Sequence, residues 1–214
     1  MNPLIKWPGG KSGEIDKIEK YIPNYGRYVE PFFGGGALFF HLKPQSAAIN
    51  DISNSLIEYY RLIKQQDKTL YDLLLCYSNS FSNVLKVCDK NYDDIHNIYS
   101  SLANGKSDVA VSSKQLSSLT ESLADVINSG FHAKLLLDEN SFIKYINKMV
   151  IDKMQRTVKN NAKKPFSDED LKDNLITGFT SGYYMYFRDV YNAINLHKID
   201  SPSIQYKAAN FYFI

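Results

Sequence analysis

Length, composition and charge place this chain among globular proteins with one domain, or one domain and a small satellite. Its 214 residues are 44% apolar and carry a formal net charge of +2, which provides for a sizeable core and excludes a uniformly basic surface. No apolar run approaches the roughly 20 residues that span a bilayer, and the N-terminus lacks the pattern of a signal peptide, so we predict a cytoplasmic protein without a membrane segment.

The first predicted elements lead into a strand, a glycine-rich turn and a helix. Isoleucines at helical spacing predict a helix over 12–22, which Pro23 ends. A short strand is then expected over 27–30, a turn over 31–36 and a helix over 37–42. This order is typical of proteins that hold a nucleotide-type ligand against a glycine turn.

A second strand and helix are predicted next. The strand covers 46–50, and Ser53 opens a helix with an apolar face. That face is formed by Leu56, Ile57, Tyr60 and Ile63. The N-terminal region therefore begins as β-α-β-α.

Long helical patterns dominate from residue 67 to residue 178, and no strand is predicted there. We expect loops at 104–108 and 160–165, and a helix that starts near Ser167. Cys76 and Cys88 lie in apolar helical surroundings, which predicts buried reduced thiols and argues against a disulfide framework or a zinc site.

The turn at Gly34, Gly35 and Gly36 and the acid at Asp51 are the strongest chemical signals. A glycine weakens local structure by about 0.5–1 kcal/mol relative to alanine unless its freedom is used, so we infer that something approaches this backbone. Asp51 follows the second strand, where a carboxylate can hold ribose hydroxyls or cap the helix that Ser53 opens. The spacing fits a nucleotide-type cofactor.

Gly10, Lys11 and Ser12 also suggest the end of a phosphate-binding loop. That motif requires a glycine five residues before Gly10, where this chain has Ile5, and a preceding buried strand. The sequence therefore disfavours a nucleoside triphosphatase.

Three segments resemble the Dam-type DNA adenine-specific methyltransferases. They are Lys6-Trp7-Pro8-Gly9-Gly10-Lys11, Glu30-Pro31-Phe32-Phe33-Gly34-Gly35-Gly36 and Asn50-Asp51. The resemblance is dense over 3–65 and returns at 181–192, which is similar to the family's helix ahead of its DNA-reading hairpin. It implies methyl transfer from S-adenosylmethionine to the amino group of adenine in double-stranded DNA, in bacteria or phage.

The resemblance also implies the cofactor site and the fold. The implied cofactor residues are Trp7, Lys11, Phe32, Gly34, Gly36 and Asp51. Trp7 would stack on the adenine ring of the cofactor, and Lys11 would neutralise either the methionine carboxylate or a DNA phosphate. The implied class is α/β, with an incomplete Rossmann-like S-adenosylmethionine-dependent core and a large, mostly α-helical insertion. We expect a cofactor-binding part at 1–66, a helical insertion at 67–180 and a return to the core at 181–214.

The catalytic motif of the family is missing from these 214 residues. Family members carry Asp-Pro-Pro-Tyr or Asn-Pro-Pro-Tyr, whereas none of the seven prolines here has a proline neighbour. We therefore expect no catalytic residue in this chain and no activity from it alone. Three interpretations remain open. The chain is the cofactor-binding portion of an adenine methyltransferase, or an inactive relative that binds S-adenosylmethionine or DNA, or half of a two-chain enzyme. In the last case a second polypeptide or a second copy of the chain would complete the sheet.

A helix predicted over 140–164 carries the candidate DNA contacts. Its basic residues project to one side and its apolar residues to the other, consistent with phosphate binding or with an ordinary solvated face. The DNA candidates are Lys144, Lys148, Arg156 and Lys159, together with Lys6 beside the cofactor motif. The aromatic residues Tyr183, Tyr186 and Phe187 follow helical spacing and are expected in the core.

Overall fold

A computed structural model describes residues 2–8, 10, 12–129, 135, 138–199 and 202–214. The chain forms two compact units, Met1–Asp67 and Lys68–Ile214, called here the first and second units. The first is α/β, and all regular elements among the described residues of the second are helices.

The first unit begins with a short helix that ends earlier than predicted. A 3-10 turn at Ser12–Glu14 leads into α1, Ile15–Glu19. Turns with hydrogen bonds between residues three apart replace the expected last helical turn. Tyr21 N–H donates to Ile18 C=O at 2.9 Å, and Ile22 N–H donates to Glu19 C=O at 3.0 Å. Pro23 explains the early end, since the residue before a proline avoids the helical region.

Two short parallel strands follow, as predicted. Strand β1 is Tyr28–Glu30, α2 is Ala37–Leu42 and β2 is Ala47–Ile49. The strands pair in parallel with Val29 opposite Ala48. Each strand is shorter than the range expected from the sequence, but the β-α-β order is confirmed.

Helix α3, Asn54–Lys64, starts as predicted and buries a partly different face. Ser53 caps it by accepting a hydrogen bond from Leu56 N–H at 3.4 Å. The buried residues are Leu56, Tyr59, Tyr60 and Leu62. Ile57 and Ile63, which we expected to be buried with Leu56, are half-buried because they line an open groove described below.

The regular elements of the second unit, among its described residues, are helices, which confirms the helical prediction for the described part of 67–178. Its helices are α4 (Lys68–Lys90), α5 (Tyr92–Ala103), α6 (Val109–Ser122), α7 (Ala124–Ser129), α8 (Glu139–Lys163), α9 (Asp168–Asn195) and α10 (Ile204–Phe213). The expected loop at 104–108 and the helix start at Ser167 are confirmed, and Ser167 accepts a hydrogen bond from Asp170 N–H at 3.1 Å.

The loop expected at 160–165 begins later than predicted, because α8 continues to Lys163. The Asn161 side chain, in the last turn of α8, accepts a hydrogen bond from Phe166 N–H at 2.7 Å. This bond holds the segment that follows the helix. The predicted boundary between 67–180 and 181–214 falls within α9, which is continuous. The division of the chain into three functional parts stays a prediction.

Helices α8 and α9 approach each other through two glycines on α9. A Cβ atom added to Gly182 would lie 2.6 Å from the Ile146 Cα, and one added to Gly178 would lie 2.9 Å from the Val150 Cα. Both obstacles are backbone atoms, so the two helices lie closer than any side chain would permit. The pairing of 146 with 182 and 150 with 178 shows that the helices are antiparallel.

The core of the second unit is aromatic and contains a buried polar group. Tyr183, Tyr186 and Phe187 are buried, as predicted. The Tyr183 hydroxyl lies 2.6 Å from the Ser80 hydroxyl and donates to Tyr77 C=O at 3.2 Å, and burial raises its pKa. This polar group is therefore satisfied within the aromatic core.

The two cysteines are free and buried, which confirms the prediction of reduced thiols. Both lie on α4. Burial, with a smaller contribution from the charge of Asp89, raises the pKa of the Cys88 thiol to about 12. A thiol held in its protonated form is a poor nucleophile and a poor metal ligand.

Candidate functional site

The turn after β1 is held in place by backbone hydrogen bonds and by a buried ring. Phe33 N–H donates to Asn50 C=O at 2.9 Å, and Gly36 N–H donates back to Phe33 C=O at 2.8 Å. The Phe33 ring is buried and packs edge-on against Phe39 and Tyr60, with ring centroids 5.5 Å and 4.9 Å away. The turn therefore has a fixed position at the carboxyl ends of both strands.

Gly34 and Gly36 adopt left-handed backbone conformations, with φ of 52° and 72°. Such angles are strained for residues with a side chain. A Cβ atom on Gly36 would also lie 2.3 Å from the Phe33 ring, and one on Gly34 would lie 3.0 Å from Trp7 Cδ1. The protein's own rings thus occupy part of the space that we had assigned to an approaching ligand.

Asp51 joins the two strand ends. Its Oδ2 atom accepts a hydrogen bond from Gly34 N–H at 2.8 Å, and its Oδ1 atom accepts one from Ser53 N–H at 3.0 Å. The carboxylate is half-buried. Since each carboxylate oxygen has two lone-pair positions, both oxygens keep capacity for a further donor.

The structure brings Trp7, Gly34, Gly36 and Asp51 together at the carboxyl ends of the strands. Trp7 is half-buried beside the turn, and its C=O accepts a hydrogen bond from Gly10 N–H at 3.0 Å. Lys6, the DNA candidate of this region, is exposed. Lys11, predicted as a cofactor or phosphate ligand, lies outside the described residues.

Two large apolar side chains are exposed at the same ends of the strands. Phe32, two residues after β1, is 85% exposed, and Ile52, directly after Asp51, is 96% exposed. Phe32 was predicted from the sequence as a site residue, whereas Ile52 was not. The sequence does contain a signal for Ile52. It is a branched apolar residue between Asp51 and Ser53, outside the apolar face of α3 that would bury it.

A groove of about 760 Å³ lies beside β2 in the first unit. Rings and aliphatic side chains form its walls, and Arg61 and Lys64 lie at its border as exposed cations. The lining includes residues 46–50 together with Phe39, Phe40, Ile57, Ile63, Arg61 and Lys64.

Helix α8 has the two faces that the sequence predicts. Its buried residues include Phe142, Ile146, Val150 and Met154. The exposed residues include the DNA candidates Lys144, Lys148, Arg156 and Lys159. The Arg156 Nε atom donates to the Asp152 C=O at 3.2 Å, which holds the guanidinium group along the helix surface.

Among the described residues, no cluster of histidine, cysteine or acidic side chains is placed to hold a metal ion. None of the described helices is both long and apolar enough to cross a membrane.

Known proteins with related sequences are DNA methyltransferases. The Type II methyltransferase M1.LlaDCHI of Lactococcus lactis subsp. cremoris is 45% identical over 75 residues, which are 35% of this chain and 26% of the relative. The DNA N-6-adenine-methyltransferase of Escherichia phage P1 is 32% identical over 100 residues, or 44% of this chain and 13% of the relative. The DNA adenine methylase of Escherichia coli strain K12 is 34% identical over 63 residues, or 29% of this chain and 23% of the relative.

These matches span about a quarter or less of each of the three relatives. No solved structure gives a significant match to this chain. The family described as D12 class N6 adenine-specific DNA methyltransferase matches residues 7–126, a segment that includes the glycine turn and Asp51. Because that match covers more than half of the 214 residues, the chain belongs to the D12 class of N6 adenine-specific DNA methyltransferases.

Proposed function

We propose that this chain is the cofactor-binding portion of a DNA adenine methyltransferase and that its first unit binds S-adenosylmethionine. The observation that carries this proposal is the hydrogen bond from Gly34 N–H to Asp51 Oδ2 at 2.8 Å, within the segment that matches the family. It supports a single site formed by the glycine turn and the acid. Such a site lies at the carboxyl ends of parallel strands, where open α/β sheets bind their ligands.

The side chains at these strand ends fit the parts of the cofactor. Asp51 would accept hydrogen bonds from the ribose hydroxyls through its remaining lone pairs. The half-buried ring of Trp7 and the exposed side chains of Phe32 and Ile52 offer apolar contact to the adenine. Lys11 would neutralise the methionine carboxylate or a DNA phosphate, and Gly34 and Gly36 keep the turn narrow.

The parallel strands with their crossover helix support a Rossmann-like beginning of the core. We assign β1, α2, β2 and α3 to that beginning and the second unit to an enlarged helical region that faces DNA. The exposed cations of α8 would contact phosphates there. Lys6, in the first unit beside the cofactor motif, is a separate candidate for contact with DNA. We place the protein in the cytoplasm, where its DNA substrate lies.

The chemical step requires groups that these 214 residues do not contain. A target adenine must leave the base stack before its amino group can be reached. In this family an Asp-Pro-Pro-Tyr motif then accepts hydrogen bonds from the amino group and stacks on the base, and no such sequence occurs here. We therefore propose that the chain alone binds the cofactor without transferring methyl groups.

The sheet favours a two-part enzyme over an inert binding module. It has two strands among the described residues, and two strands cannot bury both faces and both edges of a parallel sheet. A second polypeptide, or a second copy of this chain, would complete it.

The test begins with a calorimetric titration of the purified 214-residue chain with S-adenosylmethionine, which we expect to show binding. Absence of binding would overturn the proposal. Methyl transfer is then measured with tritiated S-adenosylmethionine and unmethylated duplex DNA, with and without a complementary fragment. That fragment is the Lactococcus lactis relative without the 75 residues that match this chain. Activity of the chain alone would refute its proposed dependence on a partner, whereas activity only with the fragment would establish the two-part enzyme.

A further inference from the structure

We propose that Tyr60 of α3 is a positioning residue for the cofactor site. Its buried hydroxyl holds the carbonyl of Gly35, and the glycine turn held in this way fixes the place of the Trp7 ring. This inference rests on the proposed function and adds a residue that acts on the site through the turn.

The Tyr60 hydroxyl donates a hydrogen bond to the Gly35 C=O at 3.3 Å, and both residues are buried. A carbonyl oxygen can only accept, and burial raises the pKa of Tyr60 to about 12, so the hydroxyl remains the donor near neutral pH. The Tyr60 ring packs edge-on against Phe33, with an angle of 90° between the two planes. The hydroxyl is therefore held at a fixed place on the buried side of the turn.

Three successive glycines make this turn permissive. Glycine adopts many backbone conformations at little steric cost, so the peptide group between Gly34 and Gly35 could rotate. Two side chains oppose that rotation. Asp51 accepts a hydrogen bond from Gly34 N–H before this peptide group, and Tyr60 donates one to Gly35 C=O after it. Together they select one orientation of the turn.

Gly35 also lies against the N-terminal segment 3–7. A Cβ atom added to Gly35 would lie 3.0 Å from the Ile5 carbonyl oxygen and 3.3 Å from the Trp7 Cβ. The odd-numbered residues of this segment are half-buried and its even-numbered residues are exposed, which is typical of an extended chain on a surface. A displaced Gly35 would therefore displace the segment and the Trp7 ring with it.

The Trp7 ring lies against the other central glycine of the turn as well. A Cβ atom added to Gly34 would be 3.0 Å from Trp7 Cδ1. A side chain that contacts a ligand keeps its geometry only when its own neighbours hold it in place. The turn is such a neighbour of Trp7, and Tyr60 holds the turn.

The test uses Tyr60→Phe, which keeps the ring and removes the hydroxyl, under conditions where circular dichroism shows the variant to be folded. We expect it to weaken S-adenosylmethionine binding about three- to tenfold in calorimetric titration, the range for one neutral hydrogen bond. Acrylamide quenching reports on Trp7 without any ligand, because Trp7 is the single tryptophan. The quenching constant should rise in the variant, since the ring would be held less firmly against the turn.

Leu62→Val is the matched control. Leu62 is buried on the same helix, and its aliphatic side chain cannot donate a hydrogen bond to the turn. The substitution should lower the urea midpoint of the first unit and leave cofactor affinity and Trp7 quenching close to those of the unmodified chain. If Tyr60→Phe behaves like Leu62→Val, the hydroxyl only stabilises the fold and the inference is overturned.

Gly35→Ala alters the same contact from the other partner. Its Cβ would press on the Ile5 carbonyl oxygen, so we expect weaker cofactor binding and a more accessible Trp7. Because Tyr60→Phe and Gly35→Ala both act through Gly35, the loss of affinity in the double variant should fall short of the product of the single losses. Losses that multiply would reject the route from Tyr60 to Trp7.

The two readouts separate this inference from the proposed function. An unmodified chain that binds no S-adenosylmethionine would overturn the proposed function, and Trp7 quenching in Tyr60→Phe would then decide whether the hydroxyl positions the ring. An unmodified chain that binds the cofactor leaves the proposed function in place. In that case the inference requires both weaker binding and stronger quenching in Tyr60→Phe, and a change in only one of them would overturn it.

Discussion

The carboxylate of Asp51 accepts a hydrogen bond from the backbone N–H of Gly34 at 2.8 Å, across 17 positions of sequence. Its other oxygen accepts one from Ser53 N–H at 3.0 Å. A single side chain therefore ties the turn after β1 to the start of α3. Its removal should affect both the fold of the first unit and the proposed cofactor site.

Asp51→Ala is expected to weaken S-adenosylmethionine binding by about one to two orders of magnitude, because charge-assisted, partly buried hydrogen bonds are lost. Calorimetric titration measures the change, and Asp16→Ala, which removes an exposed acid of α1, is the matched control. The variant should also unfold at lower urea, since two backbone donors lose their acceptor. Unchanged cofactor affinity at a temperature where the variant is folded would contradict the ribose assignment.

Gly36→Ala should destabilise the first unit by about 1–3 kcal/mol, because the turn needs a left-handed residue and the added Cβ would overlap the Phe33 ring. Trp7 is the single tryptophan, so its fluorescence during urea unfolding reports on this unit. Gly26→Ala is the control, since its Cβ would meet no atom within 4 Å. Similar midpoints for the two variants would count against the steric account.

Gly182→Ala should destabilise the second unit by about 1–3 kcal/mol, because its Cβ would lie 2.6 Å from the backbone of α8 and would force the helices apart. Circular dichroism at a helical wavelength follows this unfolding. Ser181→Ala, on the neighbouring position of α9, should change the midpoint little. If the two substitutions behave alike, the close approach of α8 and α9 does not limit stability.

Replacement of the four DNA candidates of α8 by alanine should weaken DNA binding and flatten its salt dependence. They are Lys144, Lys148, Arg156 and Lys159. Each lost phosphate contact lowers the slope of log K against log salt by about 0.9. Fluorescence anisotropy with an unmethylated duplex at several salt concentrations measures the slope. The control removes four exposed lysines from other parts of the second unit: Lys68, Lys86, Lys90 and Lys106. Equal slopes for the two variants would favour an ordinary solvated face on α8.

Local signals in the sequence were enough to predict most element starts. Ser53 and Ser167 each begin a helix by capping it, and the glycines at 34–36 separate β1 from α2. The helical nature of the second unit followed from periodicity. The helix predicted over 140–164 matches α8 within one residue at each end. Only the start of the following loop was predicted too early, because Asn160 and Asn161 are typical loop residues, whereas the Asn161 side chain here accepts the hydrogen bond of Phe166 N–H.

Tertiary contacts explain what the sequence could not predict. The pattern Leu56, Ile57, Tyr60 and Ile63 defines an apolar helix face, but only the neighbours of α3 decide that Ile57 and Ile63 face a groove. In the same way, spacing suggested that a ligand approaches Gly34 and Gly36, while the rings of Trp7 and Phe33 were not predicted to take that space. The hydrogen bond between Asp51 and Gly34 was compatible with the spacing but required the parallel pairing of β1 and β2.

The glycine contact between α8 and α9 also bears on the order in which the chain folds. These helices are joined by the short segment 164–167, so their contact closes a loop of low entropy cost. Such local pairs form faster than parallel strands, which must wait for a crossover. We therefore expect this hairpin to act as an early nucleus in the folding of the second unit. A bulkier residue at Gly182 would then delay folding as well as weaken the finished bundle.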